Sequence, residues 1–381
     1  MTHPTQVDTV VIGGGAMGSA TAWQLAKRGR EVVLLERFGP GHKFGASHGA
    51  TRNFNVAYTD PVYQAMVAEA GLLWRDLEQA SGTTLLSLVG LVNHGAGTSA
   101  ESAEVLRGLG ADAEMLDLAE ASRRWPGIRF DTRVVFMPGG GRVHADAAVQ
   151  TLQSETRRLG GQVTHHTEVL SVTVLADDRV EVRAENETYL ARQVVVTVGA
   201  WTTKLLGGLA GLGGLGATVD LPQLVVTQEQ PAHFAQLDES MPWPSFNHNQ
   251  DPADARYDYW YSNVYGMLTP GEGIKAGWHG VGPVMDPDAR TFTPEPTQLA
   301  ALQRYAREWL PGVDADLFVD VSCTYTTTPD SNFVLDRVGP ITVGAGFSGQ
   351  GFKFTPTVGR MLADLVDGTS RPDPMFAFGR R

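Results

Sequence analysis

Three glycines, Gly13, Gly15 and Gly18, carry the first chemistry legible in this chain. Their G-x-G-x-x-G spacing, with Ala16 and Met17 inside it, follows the apolar run Val10-Val11-Ile12 and opens a helical pattern through Ala20, Trp23 and Leu25. Gly13 permits a tight turn, Gly15 lets a pyrophosphate approach the backbone, and Gly18 lets the helix lie against the strand. The helix N-terminus presents free N–H groups and a partial positive charge to phosphates. A second apolar run, Val32 to Leu35, ends at Glu36, about twenty residues past the glycines, where an acceptor for a ribose hydroxyl belongs. Together these features predict a dinucleotide site. They do not name the dinucleotide, since Gly-Ala-Met-Gly also suits a NAD-dependent dehydrogenase.

Other residues are reactive in type but ambiguous alone. Lys275 sits between apolar neighbours, although most strand lysines are solvated. Cys323 is the one cysteine, and a lone cysteine is ordinarily a small buried hydrophobe. His48 and Arg52 lie in a glycine-rich loop at 38–58, which is either solvated or lines the ligand. Tyr257, Tyr259 and Tyr261 alternate, with Tyr265 close behind. This reads as an aromatic strand face, either plain packing or a wall for an apolar or cationic group.

The positioning elements follow from periodicity. Helices are expected over 61–80, 97–125 (ended by Pro126), 145–159 and 296–309, and from Val358. Strands are expected at 83–92 in two pieces, 134–137, 163–168, 169–175, 180–184, 193–198, 224–227, 273–279 and 341–344. Gly207 to Gly216 reads as a surface connection. Gly199-Ala200-Trp201 ends one strand. Gly346 to Phe354 forms a second strand–glycine turn–helix, which could aim amide N–H groups at the same ligand.

Bulk properties narrow the class. The 381 residues suggest two or three domains. A net charge of -12 argues against nucleic acid and anionic membrane as partners. No run of about 18 apolar residues predicts a membrane span. No secretory or peroxisomal signal is read, so a cytoplasmic location is expected. One cysteine excludes an internal disulfide and a cysteine-built metal site, and no metal site is expected.

Taken in order, the motifs resemble the monomeric sarcosine oxidase and N-methyltryptophan oxidase family of flavoproteins, within the D-amino-acid-oxidase-like group. The resemblance rests on Gly13 to Gly18 with Glu36, Ser47-His48-Gly49, Thr51-Arg52, Gly199-Ala200-Trp201, Lys275 with His279, Cys323-Thr324-Tyr325-Thr326, and Gly346 through Phe354. It implies an α/β plus α+β fold. A Rossmann-like FAD-binding domain built from discontinuous segments (1–85, 141–215 and 323–381) is joined by a second, mainly antiparallel-sheet substrate domain (86–140 and 216–322). It implies FAD bound covalently through Cys323, with Lys275 over the flavin to assist oxygen reduction and Arg52 and His48 beside it. The implied FAD set also includes Arg37, Ser47, Thr51, Val169, Gly199 and Trp201. From the C-terminal motif it adds Gly346, Phe347, Gly349, Gly351, Phe352 and Lys353.

The resemblance further implies a substrate pocket of Tyr265, His279 and Tyr325, with Tyr259 nearby, and a substrate carboxylate on Lys353. The family completes that clamp with an arginine where this chain has Asn55, and Gln350 stands where sarcosine oxidases often have histidine. An amide does not replace a bidentate guanidinium. Either a weaker clamp survives on Lys353, or the substrate is not a simple N-methyl amino acid.

The expected activity is oxidation of a secondary amine, of the sarcosine type, by oxygen, giving an imine and hydrogen peroxide. A related oxidase of a glycated amino acid, cyclic imino acid or non-carboxylate amine is the alternative. A NAD-dependent dehydrogenase and a non-catalytic flavin sensor are more remote. The expected partners are a small amine and O2, in a monomer or small homo-oligomer.

Overall fold

The computed structural model describes residues 3–208 and 219–380. Two eight-stranded sheets organise it. The first has a parallel centre, in the order Gln162–Thr164, Val32–Leu35, Thr5–Ile12, Thr188–Val196 and Ile341–Ala345. Thr188–Val196 is shared along its length. Its first half pairs antiparallel with Val180–Ala184 and its second half parallel with Ile341–Ala345. The apolar runs that read as strands are buried on both faces, as a parallel sheet covered by helices requires.

The helix Pro61–Ser81 shows how local chemistry sets an element. Asp60 accepts from the N–H groups of Val62 and Tyr63 at 2.8 and 3.2 Å, Pro61 occupies the first turn, and Gly82 ends the helix at φ 71°. Tyr63, Met66, Val67, Ala70, Trp74 and Leu77 form its buried face. They pack with Trp23 of the helix Ala16–Lys27 and with Val358 and Leu362 of Thr355–Asp367. Each fully buried side chain of this size contributes about 1.5–3 kcal/mol.

The second sheet runs Val313–Asp320, Ala232–Gln236, Gly273–Trp278, Val264–Thr269, Ser245–Asn249, Leu91–Gly95, Val134–Met137 and Glu114–Leu116. It is antiparallel except where Ser245–Asn249 meets Leu91–Gly95. A buried Thr51–Thr269 hydroxyl contact of 2.6 Å joins it to the short strand Thr51–Phe54, which falls within the loop expected over 38–58. No helix among the described residues is long and apolar enough to cross a membrane.

Several expectations change. The helix expected over 97–125 is two helices, Ala100–Gly108 and Leu118–Arg124, separated by the strand Glu114–Leu116. Gly110, at φ 87°, turns the chain out of the first, and Asp117 caps the second through the Glu120 N–H. The alternating tyrosines lie on no strand. Asp254 caps a short helical turn, Ala255–Tyr257, so Tyr257 is buried, Tyr259 faces another helix and Tyr261 is exposed. Alternation over three residues is too short to distinguish a strand from a capped turn. The strands Ala232–Gln236, Ser245–Asn249, Val264–Thr269, Val313–Asp320 and Val334–Val338 carried no sequence expectation, their polar residues masking the alternation. Gly207 and Gly208 close the helix Thr202–Gly208, and the rest of the expected 207–216 connection lies outside the described residues.

Candidate active site

The carboxyl ends of Thr5–Ile12, Val32–Leu35, Thr188–Val196 and Ile341–Ala345 fall on one edge of the first sheet, the edge where open α/β sheets bind ligands. A cavity of about 650 Å³ runs along it. Gly13, Gly15, Ala16, Met17, Glu36, Arg37, Ser47, His48, Arg52, Val169, Gly199, Trp201, Cys323, Tyr325, Gly346, Phe347, Gly349, Gly351 and Phe352 all line it.

The first glycines divide their work as their spacing suggests. Gly13 has φ 99°. A Cβ on Gly18 would lie 1.9 Å from the Gly13 carbonyl oxygen, so helix and strand touch backbone to backbone. Gly15 starts the helix with no side-chain cap, and the first turn holds no acid. Ser47 Oγ accepts the Ala16 N–H at 2.9 Å, so it props the helix start from the neighbouring loop. Glu36 Oε2 accepts the Gly14 N–H at 2.6 Å, and Oε1 the Phe38 N–H at 2.8 Å. Burial works against its charge, but the His42 contact and these N–H groups hold the carboxyl below its ordinary range.

Sequence-distant cations and the cysteine meet at the other end. Arg52 reaches the carbonyls of Ala46 and His48 at 2.9 and 2.5 Å, and its Nη2 lies 3.8 Å from Cys323 Sγ. Burial first, then the charges of Arg52, Arg290 and Lys275, push the His48 imidazole down to about 3. His48 is therefore neutral, and its Nε2 is buried with no hydrogen-bond partner. Lys275 is 5% exposed and does not line the cavity wall. Burial, then Arg52, lowers its ammonium to about 7, while Cys323 and Glu272 oppose the fall.

Tyr325 follows Cys323 on the same strand, and its hydroxyl lies 3.3 Å from His279 Nδ1. The Tyr265 ring stands edge-on to His279 at 6.5 Å. Gly349 packs flat against Tyr325, since a Cβ there would sit 2.1 Å from the ring. Lys353 is buried, 7% exposed, and donates to Tyr58 Oη at 3.0 Å and the Gln350 carbonyl at 2.8 Å. Burial alone lowers it to about 7.

Eight expected residues do not line this cavity: Lys275, Tyr265, His279 and Lys353, described above, and Asn55, Tyr259, Thr51 and Gly18. Asn55 turns its amide oxygen onto the Ala57 N–H. Tyr259 bonds Glu308 at 2.7 Å under Arg304. Thr51 is committed to Thr269, and Gly18 faces Gly13 rather than open space.

The sequence reading missed residues that hold the walls. Asp146 accepts the Gly49 N–H at 2.8 Å. Arg290 grips the Lys43 and Phe44 carbonyls at 3.1 and 2.9 Å, tying the second sheet's loop to the first. Asp288 receives Trp201 Nε1–H at 2.7 Å and Arg37 at 3.0 Å. Each acts through a loop contact that leaves no periodic signal.

Residues 8–365 match the model of the DAO family, FAD dependent oxidoreductase. The chain belongs to this FAD dependent oxidoreductase family. It is an FAD-dependent amine oxidoreductase with the expected fold. It is 30% identical over 375 residues to monomeric sarcosine oxidase of Bacillus sp. (strain B-0618), covering 95% of this chain and 92% of that one. It is 33% identical to peroxisomal sarcosine oxidase of Mus musculus, covering 94% and 91%. Among solved structures it is similar to NikD, described as an unusual amino acid oxidase essential for nikkomycin biosynthesis, with a TM-score of 0.84, 27% identity and coverage of 98% and 97%.

The residues present fit the family's cofactor. The acid-free helix start suits a pyrophosphate, Glu36 suits a ribose, and His48, Arg52 and Cys323 line the same cavity.

Proposed function

We propose that this FAD oxidoreductase is an oxidase of amino-acid amines, with an N-methyl amino acid of the sarcosine type as its substrate class. Lys353 carries the reading. It is a buried cation whose hydrogen-bond partners are a hydroxyl and a carbonyl, with no carboxylate among the described residues bonded to it. A buried charge without a counter-ion is costly, and a substrate carboxylate supplies the missing anion. After burial, the Lys353 charge also lowers the His279 imidazole, which supports a site shared with His279 and Tyr325.

Bound FAD supplies the acceptor for two electrons from the amine, which pass to oxygen and give hydrogen peroxide. The chain's own work is position and charge. Tyr325, His279 and Tyr265 form the pocket that holds an unprotonated amine, and no strong base is required of them. Lys275 and Arg52 place positive charge where negative charge develops during oxygen reduction. Cys323 is the proposed point of covalent attachment.

We also propose the domain division 1–85, 141–215 and 323–381 for FAD, and 86–140 and 216–322 for substrate. In support, every strand of the first sheet falls in the former set and every strand of the second in the latter. Asn55 supports a second reading, a cyclic imino acid or non-carboxylate amine, because its amide oxygen is held by a local turn and it brings no cation to a carboxylate clamp. Steady-state assays over a panel of N-methyl, cyclic and carboxylate-free amines, with peroxide detection, separate the two. No turnover of any amine, with the flavin bleached only by another donor, ends the assignment.

A further inference from the structure

Away from the flavin cavity, a second polar cluster lies inside the core of the second sheet. His94 on Leu91–Gly95 and His248 on Ser245–Asn249 stand directly opposite each other in parallel register. Both are fully buried, and their rings stack with centroids 3.7 Å apart. Phe130, Tyr257, Trp260 and Trp309 surround them. Asp131 completes the group, so that one ligand atom from each of the three residues lies within 4.8 Å of the others. Four polar atoms here are buried with no hydrogen-bond partner: both His94 ring nitrogens, His248 Nε2 and Asp131 Oδ1. Buried polar atoms in folded proteins are overwhelmingly paired, so this cluster, with one ligand atom from each of three residues meeting inside an aromatic box, points to an occupant.

We propose that His94, His248 and Asp131 bind one divalent transition-metal ion of the zinc class. Two imidazoles and a carboxylate are a zinc donor set, and a fourth position remains for water. The surroundings orient the ligands. Tyr305 Oη lies 3.3 Å from His248 Nδ1; if it accepts the Nδ1–H, the free Nε2 lone pair is left for the ion. Asp131 Oδ2 is held by Arg256 Nη1 at 2.8 Å and Tyr257 Oη at 3.3 Å, which leaves Oδ1 for the ion. Binding turns the two rings out of their stack until their nitrogens converge at about 2.0–2.1 Å from the ion. None of the three residues lines the flavin cavity, so the ion is structural. It ties the central strands of the second sheet to the Asp131 loop.

The test uses the intact yellow enzyme, stripped with a chelator and then titrated with zinc chloride, with bound metal measured by mass spectrometry. One zinc per chain, a higher melting midpoint with zinc, and an anomalous scattering peak between the three side chains are expected. His94→Asn and Asp131→Asn should each weaken zinc by more than about 100-fold, because losing even an outer-shell partner costs about 10- to 100-fold. Should His94→Asn fail to fold, Asp131→Asn, at the partly exposed edge of the cluster, decides through metal content and retained yellow colour. Failure of the folded wild type to take up zinc, copper or nickel stoichiometrically, or uptake unchanged in Asp131→Asn, overturns the proposal and leaves ordered water as the occupant.

Discussion

Arg52 Nη2 lies 3.8 Å from Cys323 Sγ, although 271 positions separate the two residues. Both residues line the cavity proposed for FAD, so the sulfur stands within reach of the cofactor. Cys323→Ser should therefore yield enzyme whose flavin leaves with acid: a white pellet and a yellow supernatant, against a yellow pellet for the wild type. Flavin retained in the acid pellet of Cys323→Ser would place the attachment elsewhere.

Lys275→Met should separate the two half-reactions. Removing one fixed charge that stabilises developing anion costs on the order of 10²–10³ in rate. Stopped-flow measurement should show that loss in reoxidation by oxygen, with reduction by the amine little changed. The ammonium is the active form, so the wild-type oxygen reaction should slow as pH rises through about 7, the value burial gives Lys275. That limb should vanish in the variant.

Lys353→Met should weaken binding of small carboxylic acids by about 10- to 100-fold, the loss expected for a hydrogen bond to a charged group. Difference spectra of the bound flavin read this directly. Equal affinity in both proteins would remove Lys353 from the substrate site and favour an amine without a carboxylate.

Lys353 also sets a pH dependence of stability. It titrates at about 7 in the fold, against an ordinary 10.5. Below pH 7 both states carry the proton and the buried charge weakens the fold in full. Between about 7 and 10.5 the unfolded chain binds more protons, so stability rises with pH. Chemical denaturation across this window should show a shallower rise in Lys353→Met, with Lys275 still contributing its share.

Gly18→Ala and Gly29→Ala should both lower the melting midpoint, and only the first should lose FAD. The Gly18 Cβ would collide with the Gly13 carbonyl, whereas Gly29, at φ 75°, has nothing within 4 Å. Overpacking costs about 1–3 kcal/mol, and a non-glycine residue in the left-handed region about 1–2 kcal/mol. Stability alone does not tell them apart, so flavin content per chain is the deciding readout.

The amino-acid order determined the nucleotide half of this protein. Gly13, Gly15, Gly18 and Glu36 are contiguous with the strand and helix that position them, so their geometry is local and their spacing expresses it. It also placed the reactive types, Lys275, Cys323 and Lys353, through motif context. Only the tertiary structure decided which of them meet. The Arg52–Cys323 contact, the Arg290 grip on the Lys43 and Phe44 carbonyls, and the His94–His248 stack each join strands or loops far apart in the chain. It equally set Tyr259 against Glu308 of another helix, after a cap at Asp254 turned part of the expected strand into a helical turn. Hydrophobic periodicity reports the face an element buries; it holds no record of which other element will cover that face, and long-range pairing is settled by packing.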